Sequence, residues 1–124
     1  MTVYEKVKAT IGAWCTQNGY VPRAEVASLD GKTLPLRFVL YTQENNDREW
    51  YGDRPWRKAP MVSFDIAVPE SEAARLPADF DALDAVLIAG GFCPTGGYDF
   101  LTDRDARKSY ITATYTVQLP ATEE

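Results

Sequence analysis

The sequence predicts an α+β domain in which a mostly antiparallel sheet carries two helices on one face. Two stretches have the apolar spacing of amphipathic helices, and several others alternate as strands do. The predicted order is helix, strand, strand, strand, helix, strand. Because each helix has one apolar stripe and each well-patterned strand one apolar side, packing both helices against one sheet face buries all of these surfaces. The 124 residues suffice for a single domain, residues 1–124.

The first predicted element is a helix over Val3–Asn18. Thr2 and Glu5 have the spacing of a capping box, and Gly19 suits the position just after a helix. Apolar residues recur on one side of this helix, at Val3, Val7, Ile11 and Trp14.

A β-hairpin is predicted next, from residues 20–29 and residues 32–41. These arms flank Asp30-Gly31, a favoured two-residue turn. The even-numbered side chains of the second arm are expected in the core: Leu34, Leu36, Phe38 and Leu40. Two prolines, which lack a donor N–H, place these strands near a sheet edge or make them irregular: Pro22 and Pro35.

The third strand is predicted over residues 59–69, with alternate apolar residues facing the core. Asp65 falls on its other side, where it either faces solvent, the favoured interpretation, or pairs with an arginine of the preceding segment. The core side comprises Val62, Phe64, Ile66 and Val68.

Residues 70–78 are a predicted connector with one helical turn, and the second helix is predicted over residues 79–89. It is expected to stop at the glycine pair of residues 90–91. Its buried stripe is Phe80, Leu83 and Leu87, joined by Leu76. Helix capping and solubility explain its three aspartates better than a catalytic cluster does: Asp79, Asp81 and Asp84.

The last predicted elements are a loop at residues 93–108 and a closing strand. From Ile111 to Leu119 the apolar or bulky residues fall on odd numbers, which is typical of a half-buried strand. Residues 120–124 are expected to form a frayed acidic tail.

Composition argues against several classes of function. The net charge of −5 does not favour a nucleic-acid binder. The sequence has no histidine, which removes the commonest general base and most zinc sites, and no motif supports carboxylate or lysine catalysis. We therefore expect no enzyme, cofactor or metal site.

Cellular location and thiol state are also predicted. The chain has no apolar run of membrane-spanning length, and its first residues lack a signal-peptide core, so we expect a soluble protein made in the cytosol, without a membrane partner. Cys15 and Cys93 have no CxxC spacing and are expected to be reduced, packed thiols.

Two segments are candidate interfaces, because Trp, Tyr and Arg are enriched at interface hot spots. The first, the arm (residues 44–58), either covers its own domain or docks on a neighbouring subunit; a nucleic-acid site is a remote third alternative. The second lies within residues 98–108, whose alternating charges suit ion pairs between subunits or a solvated loop. The candidate residues are Arg48, Trp50, Tyr51, Arg54, Trp56 and Arg57 in the arm, and Tyr98, Asp99, Phe100, Asp103, Arg104 and Arg107 in the loop.

Several local features carry a family resemblance. The arm (WYGDRPWRK) leads into a strand with a lone aspartate (MVSFDIAV), and the second helix ends in a Gly-Phe pair at residues 91–92. An acidic-aromatic segment at residues 98–103 and a basic-aromatic segment at residues 107–110 precede the final strand. With the α-β-β-β-α-β order, the chain resembles the tail terminator, or tail completion, proteins of long-tailed (siphovirus-type) bacteriophages. The resemblance covers residues 59–117, and the first half by element order.

The resemblance implies a structural protein of the virion. Members of that family form a hexameric ring that caps the tail-tube protein, stops its polymerisation and joins the tail to the head–tail connector, or stopper. Genomic DNA passes through the ring without specific binding, which suits an acidic protein. A closed ring also needs two different patches that meet between copies, and the two candidate segments would supply them.

Three alternatives remain open. The chain could be a head-side joining (minor capsid) protein or a tail assembly chaperone, both of which are small, soluble and acidic. A small ligand-binding domain or enzyme is a further alternative and would need convergent acid and base groups in one pocket. The groups available for it are Asp65, Asp99, Asp103 and Lys108.

Overall fold

The structure, a computed structural model, describes residues 3–24, 36–45, 48–51, 54–58, 61–104, 107–117 and 119–120. For residues 44–58 and 119–120, what it describes is the backbone. Neither described helix is long and apolar enough to cross a bilayer. In chain order the elements are α1 (Val3–Asn18), β1 (Val21–Ala24), β2 (Phe38–Asn45), β3 (Arg48–Tyr51), β4 (Arg54–Lys58), β5 (Met61–Pro69), a 3-10 helix (Glu70–Arg75), α2 (Leu76–Ala89), β6 (Cys93–Pro94), β7 (Asp99–Asp103), β8 (Lys108–Thr116) and β9 (Leu119–Pro120).

Six strands form the main sheet, in the order β1-β2-β5-β8-β6, and β7 also pairs with β8. The neighbouring strands run antiparallel, except that β1 and β2 are parallel. A second sheet contains β3, β4 and β9. The predicted α+β class, the mostly antiparallel sheet and the order of helices and strands are confirmed.

Both helices pack on one face of the main sheet and share a core with it, as predicted. Phe64, at the centre of β5, is 1% exposed. Its ring centroid lies 6.5 Å from that of Tyr41 on β2, 5.5 Å from Tyr115 on β8 and 6.1 Å from Phe92. The last two contacts are edge-to-face, a favourable geometry for aromatic rings. The helices complete this core with Val7, Ile11, Leu83 and Leu87.

Helix α1 has the bounds and the buried stripe that its spacing predicts. Gly19 follows it with a φ of 79°, in the left-handed region that glycine adopts without a steric cost. The proposed capping residue Thr2 lies outside the described residues. The buried residues include the whole predicted stripe: Val3, Val7, Ile11 and Trp14.

The hairpin predicted for the first two strands is wrong in its pairing. Val21 of β1 lies opposite Phe38 of β2, and the two strands run parallel. Parallel neighbours need a crossover connection and not a two-residue turn. Residues 25–35, which hold the predicted turn and the second proline, lie outside the described part of the chain. Pro22 is in β1, at an edge of the sheet, as predicted.

The core face predicted for β2 is also wrong. Val39 and Tyr41 lie opposite core residues of β5 and are buried. Leu40 and Phe38 lie on the opposite face, where Leu40 is partly exposed but Phe38 is buried, at 7% exposed. Leu36, which precedes the strand, is 66% exposed, and Leu34 lies outside the described residues. Both the odd and the even positions of this strand are apolar, so alternation does not choose between them. The register of β2 against β5 determines which of its side chains face the core.

The third strand and the second helix follow the prediction closely. β5 begins at Met61, and residues 59–60 lie outside the described part. A 3-10 helix occupies the predicted connector, and α2 starts at Leu76, three residues early. Pro77 suits this first turn, where its missing N–H costs no hydrogen bond. The predicted apolar positions are all buried: Val62, Phe64, Ile66, Val68, Leu76, Phe80, Leu83 and Leu87.

The glycine pair after α2 lets the two helices approach closely. A Cβ at Gly90 would lie 2.5 Å from Cγ2 of Thr10 on α1. Gly91 has a φ of 95°, which strains other residues. This pair ends the helix as predicted, and it holds the end of α2 against α1.

The predicted loop at residues 93–108 contains two short strands, β6 and β7, both on the outer edge of β8. β7 is exposed along its whole length, so its sequence has no apolar alternation to reveal it. β8 begins at Lys108, three residues before the predicted start, and its alternation is confirmed. The predicted end at Leu119 is wrong: β8 stops at Thr116, and Leu119 belongs to β9 in the second sheet. Pro120, in the predicted frayed tail, pairs with Arg57 of β4, while residues 121–124 lie outside the described part.

An ion-pair network joins the 3-10 helix to its neighbours. Arg37 donates from Nε and Nη2 to the two carboxylate oxygens of Glu72, at 2.6 and 2.7 Å. Arg75 donates to Asp79 at 2.8 Å, and the Tyr20 hydroxyl donates to the same oxygen at 2.6 Å. The network therefore links the start of β2, the segment after α1 and the first turn of α2.

We expect this network to make the domain less stable in acid. The hydrogen bonds from Arg37 hold the pKa of Glu72 below its ordinary value of 4.5. A lowered folded-state pKa contributes stability above pH 4.5 that is lost as the pH falls through the folded-state pKa. Glu72→Gln should therefore lower the free energy of unfolding at pH 7 and reduce its dependence on pH below 5, measured by urea denaturation. Glu70→Gln, which changes an exposed neighbouring acid, is the control, and equal pH profiles for the two variants would contradict the expectation.

The two thiols differ in exposure. Cys15 is buried in the core, whereas Cys93 on β6 is exposed, so the prediction of packed thiols holds for Cys15 and is wrong for Cys93. Both are free, as predicted. Cys93 lies on a two-residue edge strand that the helices do not cover, which explains its exposure.

We expect a thiol reagent to modify one cysteine in the folded protein. Burial raises the pKa of Cys15 to about 12, which suppresses the reactive thiolate, and the core blocks access. Titration with a chromogenic disulfide should give one rapid equivalent, and a second after denaturation. Cys93→Ser should abolish the rapid phase; two rapid equivalents from the native protein would show that the core around Cys15 opens readily.

Candidate subunit interface

The arm (residues 44–58) is a hairpin of β3 and β4. Arg48 pairs with Lys58 and Tyr51 with Arg54, with an irregularity next to Trp50. The arm's sequence has no clean period, which is why these strands are not predicted from it. The six candidate residues of the arm all lie on these two adjacent strands: Arg48, Trp50, Tyr51, Arg54, Trp56 and Arg57.

The arm leaves the main sheet at the end where β2 stops and β5 begins. Asn45 and Met61 form the last pair between β2 and β5, and Met61 also pairs with Thr116 near the end of β8. The chain then continues through β9, which pairs with β4. The second sheet therefore begins where three strands of the main sheet end.

The second candidate segment is an exposed edge. All five residues of β7 are exposed, including Asp99, Phe100 and Asp103 of the predicted site. Tyr98, just before the strand, is 50% exposed, Phe100 is 47% and Leu101 is 41%. Large apolar side chains with this exposure keep surface that the fold of the single chain does not bury.

Arg104 and Arg107 occupy the turn at the far end of β7. Arg107 has a φ of 54°, and its carbonyl accepts a hydrogen bond from the backbone N–H of Glu70 at 2.8 Å. Since a strand rises about 3.3 Å per residue, the five residues of β7 separate this turn from Tyr98 by more than ~13 Å. The structure thus groups Tyr98 with Asp99 and Phe100, and places the two arginines apart from them.

The two candidate segments do not meet within one chain's main sheet. β7 pairs with residues 108–112 of β8, whereas the arm begins beyond Thr116. Four residues of strand, about 13 Å, separate these places along β8. The sequence did not predict this separation.

A cleft lies between α2 and the chain that joins β6 to β7. Its volume is about 170 Å³. The Phe80 and Tyr98 ring centroids are 4.6 Å apart at its wall, and the floor comes from β8. We call it the acidic-aromatic cleft; its described lining is Phe80, Asp81, Asp84, Pro94, Gly96, Gly97, Tyr98, Ala113 and Tyr115.

A buried phenol orients one carboxylate of this cleft. The Tyr115 hydroxyl donates to Oδ1 of Asp84 at 2.5 Å. Burial and this hydrogen bond raise the pKa of Tyr115 well above its ordinary value, so the phenol remains a proton donor at neutral pH. The hydrogen bond thereby fixes the carboxylate of Asp84 at the cleft, next to the exposed Asp81. Such an arrangement can attract and orient a cation.

Sequence reasoning missed this cleft. It treats Asp79 and Asp84 as capping or solubility residues, whereas each accepts a hydrogen bond from a tyrosine, Asp79 from Tyr20 and Asp84 from Tyr115. Asp81 is exposed, as a solubility residue would be. The spacing of the acids along one helix was a signal, but their partners are 59 and 31 residues away in the sequence.

Asp65 lies on the sheet face opposite the helices, as its position in β5 predicts. Its neighbours across the sheet are Leu40 and Thr112, and it is partly exposed. Pairing with an arm arginine is not tested, because those side chains lie outside the described part. Among the described residues, no three His, Cys, Asp or Glu side chains form a group that could hold a metal ion.

A scan against protein-family models finds no match, and neither does a search of curated proteins. The candidate interface therefore has to be judged on its own geometry and chemistry.

The hydrogen bond between Tyr115 and Asp84 is expected to stabilise the domain. Tyr115→Phe removes the donor and leaves a partly buried carboxylate without it, at a cost of about 1–2 kcal/mol in the free energy of unfolding at pH 7. Because the folded-state pKa of the phenol is raised, this contribution is present below pH 10 and is lost as the pH rises through the folded-state pKa. Urea denaturation at pH 7 and pH 11 measures both effects.

The control is Tyr110→Phe, on the other face of the same strand. It should change the stability less than Tyr115→Phe at pH 7. Equal losses for the two variants would mean that the hydrogen bond to Asp84 adds nothing.

Proposed function

We propose that this chain is a tail terminator, or tail completion, protein of a long-tailed bacteriophage. In this role it forms a ring, with six copies as the expected number, on the end of the tail tube. The ring stops addition of tail-tube protein and presents a surface to the head–tail connector. The protein is then a structural component of the virion and acts through contacts and not through catalysis.

The observation that carries the proposal is the exposed edge formed by Tyr98 and β7. The single chain leaves Tyr98, Phe100 and Leu101 between 41 and 50% exposed, flanked by Asp99 and Asp103. A mixed aromatic and acidic edge of this kind suits contact with another protein surface, because aromatic side chains supply binding energy and charges supply register.

A second, different patch supports a ring in particular. The arm is a separate sheet that begins at the other end of β8, and its sequence carries Trp50 and Trp56 among basic residues. A ring grows through a heterologous interface, in which one patch meets a different patch of the next copy. Two unlike patches about 13 Å or more apart on one chain satisfy that requirement.

The charge of the chain supports the proposed passage of DNA. With a net charge of −5 the surface repels phosphates on average, so a ring of this protein would let a duplex slide. On the face of the main sheet opposite the two described helices, β5 carries Ser63 and Asp65, and β8 carries threonines at positions 112, 114 and 116.

Counting copies tests the proposal. The purified chain, alone and mixed with the tail-tube protein of the same phage, is examined by multi-angle light scattering and negative-stain electron microscopy. We expect a six-fold ring at the ends of tubes, and tubes that stop growing. Tubes that elongate unchanged would overturn the proposal and favour a head-side joining protein.

The arm should be required for this assembly. We expect Trp50→Ala combined with Trp56→Ala to abolish ring formation on tube ends, because both large aromatic contacts are lost. The circular dichroism spectrum and the melting temperature show whether the monomer remains folded. If the folded double variant still forms normal rings, the arm is not part of the interface.

A further inference from the structure

We propose that the acidic-aromatic cleft receives a cationic side chain of β4 from a second copy of this chain. This inference rests on the proposed ring and specifies which two surfaces meet in it. The donor strand is β4, with Arg54, Arg57 and Lys58, and the acceptor is the cleft between α2 and the β6–β7 connection.

The size of the cleft favours a side chain over a small-molecule ligand. Its volume is about 170 Å³. Pockets for drug-sized ligands and cofactors hold roughly 300–1,000 Å³. The space is therefore suited to the end of one long side chain inserted from another protein surface.

The lining of the cleft is suited to a guanidinium or ammonium group. The rings of Phe80 and Tyr98 form one wall, and a cation over an aromatic face is attracted by the ring quadrupole. Asp81 and Asp84 supply negative charge beside the rings. The Tyr115 hydroxyl donates a hydrogen bond to Oδ1 of Asp84 and so fixes the orientation of this carboxylate. The other carboxylate oxygen, Oδ2, can then accept a hydrogen bond from an incoming cationic side chain.

Charge complementarity identifies β4 as the occupant. The strand has three cations and no acidic residue within Arg54–Lys58. The described lining of the cleft has two carboxylates and no lysine or arginine. Since the donor and the acceptor are different patches of one chain, each copy can donate to one neighbour and accept from the other, as a closed ring requires.

The entrance of the cleft is open because two glycines line it. A Cβ added at Gly96 or at Gly97 would meet no atom within 4 Å, and neither residue has a left-handed φ. Larger residues are therefore compatible with the backbone here. A bulky substitution at this place can block entry without straining the fold.

Photo-crosslinking tests which surfaces meet. A benzophenone amino acid replaces Tyr98 at the cleft wall, and equal amounts of 14N- and 15N-labelled protein are mixed. The mixture is irradiated both at high protein concentration and on tail tubes, and cross-linked peptides are identified by mass spectrometry. We expect cross-links from position 98 to the peptide containing β4, with mixed isotope pairs that show contact between copies.

Substitutions in the cleft test separately whether its negative charge and its open entrance are needed for the contact. Asp81→Asn with Asp84→Asn removes the carboxylates with little change of shape and should reduce the yield of mixed cross-links about tenfold. Gly97→Leu should reduce it by blocking the entrance. Glu70→Gln, an exposed acid away from the cleft, should leave the yield unchanged, and the melting temperature of each variant monitors folding.

The outcomes distinguish this inference from the proposed function. The cleft–β4 contact would be overturned by cross-links that form within one copy or to a segment without β4, even if the protein still caps tubes. The absence of cross-links in both conditions would overturn it as well. If mixed cross-links to β4 form in a protein that does not cap tubes, the cleft–β4 contact is supported and the proposed role in the tail is wrong. An undiminished yield from the folded Asp81→Asn and Asp84→Asn double variant would also overturn the inference.

Discussion

The burial of Phe64 at the centre of β5 is the contact on which the rest of the fold depends. Its ring touches Tyr41 and Tyr115 on the two flanking strands and Phe92 just beyond α2. Three strands and the end of a helix are thereby fixed by one side chain. Because protein interiors are close-packed, the faces of β2 and β8 follow from this centre. The opposite sheet face carries polar and partly exposed residues, with Phe38 and Ala67 buried among them.

Two tyrosines connect this apolar centre to the charged surface of α2. Tyr20 and Tyr115 have buried rings, and their hydroxyl groups donate to Asp79 and Asp84 at 2.6 and 2.5 Å. The helix therefore has two polar anchors, near its first turn and near its middle, in addition to its apolar stripe. One of these two carboxylates, Asp84, also lines the acidic-aromatic cleft, so the same group anchors α2 and sets the charge of the cleft.

The sequence predicts those parts of the fold in which a single periodicity is present. The bounds of α1 and the core faces of β5 and β8 follow from spacing alone. The core face of β2 does not, because both parities are apolar and only the register with Phe64 and Ile66 selects Val39 and Tyr41. The parallel pairing of β1 has no local signal, since it depends on where a crossover returns.

The candidate site was only partly accessible to sequence reasoning. Composition identified Tyr98, Asp99 and Phe100, which the structure places together on an exposed edge. It could not show that Arg104 and Arg107 lie in a turn at the other end of β7. It also could not find the acidic-aromatic cleft, which depends on contacts between residues far apart in the chain, such as the hydrogen bond of Tyr115 to Asp84.

The outer edge of β8 has a further consequence for how copies of the chain can associate. Two short strands, β6 and β7, cover it, with an interruption between Pro94 and Asp99, and the opposite edge of the main sheet is the four-residue strand β1. An edge broken in this way cannot template a long run of backbone hydrogen bonds with another chain. Indefinite stacking into fibres through the edges of the main sheet is therefore disfavoured, so any association of copies would depend on side-chain contacts.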